Sequence, residues 1–208
     1  MHKTILIFDF DGTIADTHSY IVDISNRLSE EFNYNLIRVE EKEKLKDKTS
    51  QEIIRYLRIP VFRIPSILSK AKKEYYNGIA TIHPISGLKE TLHELKKVGV
   101  TMGIFSSNTQ ESIHKFLKNH HLDIFDFIKT TSSVWSKNTT FKKLLLENGY
   151  RAQQIIYICD EVRDITAVKK CGIKVAAVSW GYNSVRTLKK HKPDFLINKP
   201  ADLLKLCS

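Results

Sequence analysis

No run of about 18 consecutive apolar residues occurs in the 208-residue sequence, so it contains no segment expected to cross a membrane as a helix. Cysteine is scarce. Cys159, Cys171 and Cys207 are odd in number and not spaced as metal ligands, which argues against a disulfide framework and fits a reducing compartment. Met1-His2-Lys3 leads into a short apolar run broken by Asp9 and Asp11, without the long apolar region and small-residue cleavage site of a signal peptide. The expected location is cytoplasmic. Internal repeats, low-complexity tracts and flexible linkers are also missing, so the whole chain is expected to fold.

Charge is the lopsided quantity. The sequence carries 33 Lys+Arg against 23 Asp+Glu, a formal net charge of +10. Such a surface attracts anions of any kind: nucleic acid, acidic membrane or phosphorylated metabolites. The basic residues are spread in pairs, such as Lys72-Lys73, Lys96-Lys97, Lys142-Lys143, Lys169-Lys170 and Lys189-Lys190, and pairs on helices face water. Charge therefore identifies no partner; nucleic acid is compatible with it but not favoured.

Short β-type runs alternate with helical stretches, the pattern of a parallel sheet covered by helices. Residues 4–10 (TILIFDF), 100–106 (VTMGIFS), 127–130, 155–159 (IIYIC) and 174–178 (KVAAV) read as strands. Residues 87–98 read as an amphipathic helix closed by Gly99. From residue 16 to residue 81 the strand signal fades and helical periodicity takes over, with helices expected near 20–32, 50–57 and 66–76, punctuated by Pro60, Pro65 and Pro84. A helical block between the first two strands is most simply an inserted cap. The expected organisation is an α/β core over 1–15 and 82–208 with a helical cap over 16–81.

The strongest chemical signal is Asp9-Phe10-Asp11-Gly12-Thr13, directly after the first apolar run. Open parallel sheets bind ligands at the carboxyl ends of their strands. A spacing of two puts both carboxylates on one side of an extended segment until the glycine turns the chain. Two such acids at the rim of a buried strand are costly unless a cation or a reaction requires them.

Asp9-Phe10-Asp11-Gly12-Thr13-Ile14-Ala15-Asp16-Thr17 resembles the first motif of the haloacid dehalogenase-like hydrolases, especially the phosphoglycolate phosphatase-like branch with its helical cap. Three further stretches agree in order: Gly103 to Asn108, Lys137, and Ile158 to Asp164. The resemblance spans nearly the whole chain. It implies a Rossmann-like core and a Mg2+-dependent phosphatase. Asp9, the Asp11 carbonyl and Asp160 would hold the metal, and Asp9 would form an aspartyl-phosphate. Asp11 would act as general acid and then base. Ser107, with Ser106 as the alternative if the strand ends earlier, would bind the phosphoryl group together with Asn108 and Lys137, while Thr13 and Asp164 support the site. Asp164 could instead pair with Lys137 without touching metal, and Lys142 is the alternative to Lys137.

Two departures from the family pattern stand out: Asn138 follows the lysine where proline is frequent, and Cys159 occupies a frequent glycine position. Cys159 reads as a buried, inert thiol. An intact Asp11 favours phosphoryl transfer over dehalogenation, because dehalogenating members need no acid there. Lys46, Lys48 and His18 are the candidates for substrate selection, whereas His120-His121 reads as structural. The expected partner is a small phosphorylated metabolite, phosphoglycolate-like. Alternatives are a sugar phosphomutase, a polynucleotide end-phosphatase and a non-catalytic phosphate-binding module.

Overall fold

Each of the five apolar runs becomes a strand, and a sixth strand joins at the edge, in a computed structural model that describes residues 4–131 and 137–207. β1 (Ile5–Phe8) leads into α1 (His18–Phe32), α2 (Lys42–Leu45), α3 (Ser50–Tyr56) and α4 (Ile64–Gly78). α5 (Leu88–Lys97) returns the chain to β2 (Thr101–Ser106), followed by α6 (Gln110–His120), β3 (Phe127–Thr130) and α7 (Lys137–Asn148). The last part runs β4 (Ile155–Cys159), α8 (Val162–Lys169), β5 (Lys174–Val178), α9 (Val185–Lys190) and β6 (Phe195–Ile197).

All pairings are parallel, and the strand order is β3-β2-β1-β4-β5-β6. β1 lies between β2 and β4, with Ile5 beside both Thr101 and Ile155. That order reverses direction at the β1/β4 boundary, the crevice where doubly wound sheets bind ligands. Asp9 ends β1 and Asp160 ends β4, so the topology alone brings the two acids to one crevice.

Alternation along β1 divides the interior in two. Leu6 and Phe8 join a core with Leu92, Phe116, Leu28 and Tyr75, so the helices between β1 and β2 share a continuous interior with the sheet. Ile5 and Ile7 join Phe141, Ile165 and Leu188 on the opposite face. Asp9 is in phase with Ile5 and Ile7, which aims it toward the α7 and α8 side.

Local boundaries follow local chemistry. β1 stops at Phe8 rather than running to residue 10, because the Phe10 carbonyl accepts from Ile14 and Ala15 and Gly12 turns the chain at φ 69°. α4 takes in Pro65 instead of ending at it; in a helix's first turn proline forfeits no intrahelical bond. β6 is not apparent from the sequence, since three residues after Pro193 with Phe195 exposed make a weak strand signal. No helix among the described residues is long and apolar enough to cross a membrane.

Candidate active site

Asp9 is buried at the end of β1. Its Oδ1 accepts from the Phe10 N–H at 2.8 Å, and its Oδ2 lies 3.2 Å from Lys137 Nζ. Lys137 opens α7, is only 2 % exposed, and also pairs with Asp164 of α8. Lys142 is exposed, so it is Lys137 that the fold brings to the acids. The Lys137 ammonium lies 5.5 Å from the Tyr157 ring centre, whose hydroxyl donates to the Phe105 carbonyl at 3.0 Å. Burial works against a lysine charge, but Asp164 and Asp9 hold the Lys137 pKa above its usual value. Burial alone would raise Asp164 as well, yet Lys137 and Arg163 hold it below the ordinary carboxylate range. Asp164 therefore makes the ion pair with Lys137.

Asp160 is fixed on several sides. Thr13 Oγ1 donates to its Oδ1 at 3.1 Å, and the Tyr182 N–H donates to its Oδ2 at 2.7 Å. A side chain at Gly181 would place its Cβ 2.2 Å from the Asp160 Cβ, so this position accepts only glycine without displacing the acid. Burial, and then the charge of Glu161, pushes Asp160 up to about 7. Cys159 is fully buried and its thiol pKa is raised by that burial, in keeping with an inert role.

Asp11 stands apart from this buried set. It is half-buried, and neutral donors hold its carboxyl: Tyr75 Oη at 2.7 Å from Oδ1 and Asn108 Nδ2 at 3.0 Å from Oδ2. Burial raises its pKa despite those hydrogen bonds. β2 ends at Ser106, which is buried and whose Oγ accepts from the Asn108 N–H at 3.2 Å. Ser107 follows the strand and is half-buried.

Could these residues hold a metal ion? Asp9, Asp11, Asp160, Glu161 and Asp164 interact with one another, with Lys137 and Arg163 as the neighbouring cations. Burial raises Asp9, Asp11, Asp160 and Glu161, and neighbouring carboxylates add to the rise at Asp9, Asp160 and Glu161, a local deficit of positive charge. A hard divalent cation with oxygen ligands fits that deficit. Among the described residues no three His, Cys, Asp or Glu side chains are grouped as ligands of one ion. The sequence expectation of two carboxylates, Asp9 and Asp160, with the Asp11 carbonyl needs only two such side chains.

The substrate-selecting candidates separate. Lys46 is paired with Glu43 at 3.0 Å, and its carbonyl accepts from Asn183 Nδ2 at 2.9 Å. Lys48 lies 5.7 Å from the Tyr56 ring centre and lines a cavity of about 360 Å3 together with Glu161, Arg163, Thr166, Lys170 and His191. His18 packs edge-on to Tyr182 at 5.4 Å and lines a second cavity of about 50 Å3 at Asp11 and Asp160. Burial, and then Lys46, lowers its pKa. His120 hydrogen-bonds the Ile82 carbonyl at 2.8 Å, and His121 caps α6 at φ 53°, so that pair is structural.

Three contributors are absent from the sequence reading. Tyr75 sits on the buried stripe of α4 with Ile67 and Ala71, a spacing of four that could have marked it. Asn183, 2 % exposed, accepts from the Val162 N–H and donates to the Lys46 carbonyl, which no local pattern announces. Arg163 pairs with Glu161 at 2.6 Å, and its buried Nε, without a hydrogen-bond partner, lies 3.9 Å from Asp164 Oδ1. An unmet buried donor costs about 1–3 kcal/mol, so that position favours an acceptor.

The family model for haloacid dehalogenase-like hydrolase matches residues 6–178, which takes in every one of these acids and Lys137. The chain belongs to the haloacid dehalogenase-like hydrolases. Among relatives, a phosphoglycolate phosphatase from Synechococcus elongatus is 28 % identical over 200 residues, covering 96 % of this chain and 94 % of that protein. Pyrophosphatase PpaX from Bacillus cereus is 26 % identical over 208 residues, covering 98 % and 95 %. The crystal structure of a predicted phosphoglycolate phosphatase from Haemophilus somnus superposes with a TM-score of 0.82 at 18 % identity, covering 100 % of this chain and 99 % of the other. This haloacid dehalogenase-like hydrolase therefore shares its fold over its full described length with that neighbour.

Proposed function

We propose that this chain is a Mg2+-dependent phosphatase of small phosphate monoesters that works through an aspartyl-phosphate on Asp9. The observation that carries the reading is the contrast between two neighbouring carboxyls. Asp9 is held against the Lys137 ammonium, and Asp11 is held by the neutral donors Tyr75 and Asn108 with its pKa raised. Paired acids in different environments take different roles, one as nucleophile and one as proton donor.

An Asp9 carboxylate oxygen attacks phosphorus in line, and the bond to the leaving oxygen breaks. Asp11 gives its proton to that oxygen, then accepts one from the water that cleaves the acyl phosphate, which releases phosphate and restores Asp9. Lys137 draws charge from the phosphoryl oxygens, as does the Ser106 hydroxyl at the end of β2, with Ser107 and Asn108 following it. Mg2+, held by Asp9, Asp160 and the Asp11 carbonyl, would supply positive charge to the same oxygens. Asp164 and Thr13 orient Lys137 and Asp160. The helices between β1 and β2 act as the cap, and the location is cytoplasmic.

The relatives' names put phosphoglycolate and pyrophosphate first on a substrate panel. Phosphate release is measured for these, sugar phosphates and a 3′-phosphorylated oligonucleotide, with Mg2+ or with chelator, and with Asp9→Asn as blank. Metal-dependent turnover lost in the variant is the expected result. Transfer between sugar positions without release would make the chain a mutase. Oligonucleotide turnover falling steeply with salt would make it an end-phosphatase. Binding without turnover would leave a phosphate-binding module.

A further inference from the structure

From α3 to the middle of α4, residues 53–73 carry six cations, Arg55, Arg58, Arg63, Lys70, Lys72 and Lys73, and no acid. Residues 16–52 of the same insertion carry nine acids against six cations, so its positive charge is concentrated in this one stretch. Lys70 pairs with Glu31, and Arg63 donates to the Phe32 carbonyl at 3.0 Å. Arg58, Lys72 and Lys73 are exposed and enter no ion pair among the described residues.

The same stretch projects apolar side chains into water. Val61 is 73 % and Phe62 80 % exposed, in a short 3-10 turn, Val61–Arg63, that leads straight into α4. Steps of four, three and four then place Pro65, Ser69, Lys72 and Tyr76 along the outer side of α4, all exposed, with Leu68 and Lys73 on its flanks. Lys115 of α6 adds a cation at the far end, 4.5 Å from the Tyr76 ring centre. At 1.5 Å per residue, α4 separates the Val61-Phe62 tip from the chain's return to the core by about 20 Å. Neither of the cavities described above includes a residue of this stretch, so the tip is convex.

Apolar side chains flanked by unpaired cations form a surface suited to an acidic bilayer interface, where the first insert and the second meet headgroup phosphates. A fluid lipid surface also accepts a convex tip, whereas a protein partner would have to supply a matching hollow. We propose that this face of the insertion docks the protein on an anionic lipid surface, with Val61 and Phe62 inserted and Arg58, Lys72 and Lys73 against the phosphates. Such peripheral attachment needs no spanning helix and is independent of the phosphatase reading.

The test is co-sedimentation at low salt with vesicles of phosphatidylcholine alone and with vesicles in which a third of the lipid is phosphatidylglycerol. It compares the unaltered protein with two double variants, Val61→Ser with Phe62→Ser and Lys72→Glu with Lys73→Glu. Lys189→Glu with Lys190→Glu, on α9, is the control of equal charge change. All six side chains except Val61 and Phe62 are charged, and all six are exposed, so the variants are expected to fold. The acidic vesicles are expected to bind about tenfold tighter than the neutral ones, an advantage lost in both surface variants and largely kept in the control. Equal affinity for the two vesicles, an unchanged affinity after loss of the apolar tip, or a control as weak as the Lys72 and Lys73 variant overturns the proposal. Retention on immobilised poly-glutamate with neither vesicle bound would assign the surface to an acidic protein, and would equally overturn it.

Discussion

The two sides of the site are held together by different physics. On the sheet side, Asp9, Asp160, Asp164 and Lys137 are each no more than 3 % exposed and are locked by ion pairs or main-chain donors. On the side of the helical insertion, the contacts are polar and lie along a seam: Tyr75 to Asp11, Asn183 to the Lys46 carbonyl, and Asp47 to Ser184, Thr187 and Arg186. The insertion is also the less completely covered region. Among the described residues, eight of the eleven exposed large apolar side chains fall between Ile21 and Tyr76, although Leu28, Leu45 and Tyr75 still join the core shared with the sheet. Under the proposed function, a buried sheet side and a more exposed insertion would suit opening of the insertion for substrate, since hinged lids are drawn from the less stable parts of a fold.

The contrast can be broken most severely on the sheet side. Lys137→Ala leaves Asp9 buried without its cation and Asp164 with Arg163 alone, and removing one partner of a buried pair costs about 3–5 kcal/mol. Urea unfolding is expected to show a loss of that size, together with loss of phosphate release. Asn183→Ala, at the seam, strips a buried acceptor from the Val162 N–H. The expected cost is smaller, about 1–3 kcal/mol, with a rise in KM exceeding the fall in kcat. Equal losses in KM and kcat would mean that Asn183 belongs to the sheet side.

Asp47→Asn should leave global stability nearly unchanged and raise KM a few-fold, because the contact it weakens is peripheral. The Ser184 hydroxyl, followed by Thr187 and Arg186, holds the Asp47 carboxyl below its usual range. A lowered folded-state pKa stabilises above the unfolded value and is lost as pH falls through the folded one. The seam should therefore loosen only in acid below the ordinary aspartate range, and the variant should not show that transition in KM. The subtlest effect belongs to Tyr75→Phe. Burial raises the Asp11 pKa, and the protonated form is the acid, so the leaving-group step should persist above the usual aspartate range and fall as Asp11 ionises. Tyr75 donates to the ionised form and opposes the rise, so its removal should move that basic limb to higher pH. A limb moving to lower pH would remove Tyr75 from the proton path.

The sheet side was also the legible side. Five strands could be read from apolar runs, and the acids at their ends from spacing and family resemblance, because both are properties of contiguous sequence. The seam was not legible: Asn183 meets Lys46 across 137 residues, and nothing near either one marks the contact. The serine pair expected at the phosphate shows the limit of motif reading. Ser107 was the expected residue, with Ser106 the alternative if the strand ended earlier, and β2 does end at Ser106, a boundary that the motif left open. Lys46 and Lys48 looked interchangeable until Glu43 proved to occupy one of them.

The central place of β1 has a consequence for synthesis. Ile5 must wait for Thr101 on one side and Ile155 on the other before it has neighbours. At about 5–20 residues per second, the first of those partners is made roughly 5–20 s after β1 itself. Throughout that interval an apolar strand ending in two acids has no sheet to enter. The segment that carries Asp9 and Asp11 is thus made early and completed late.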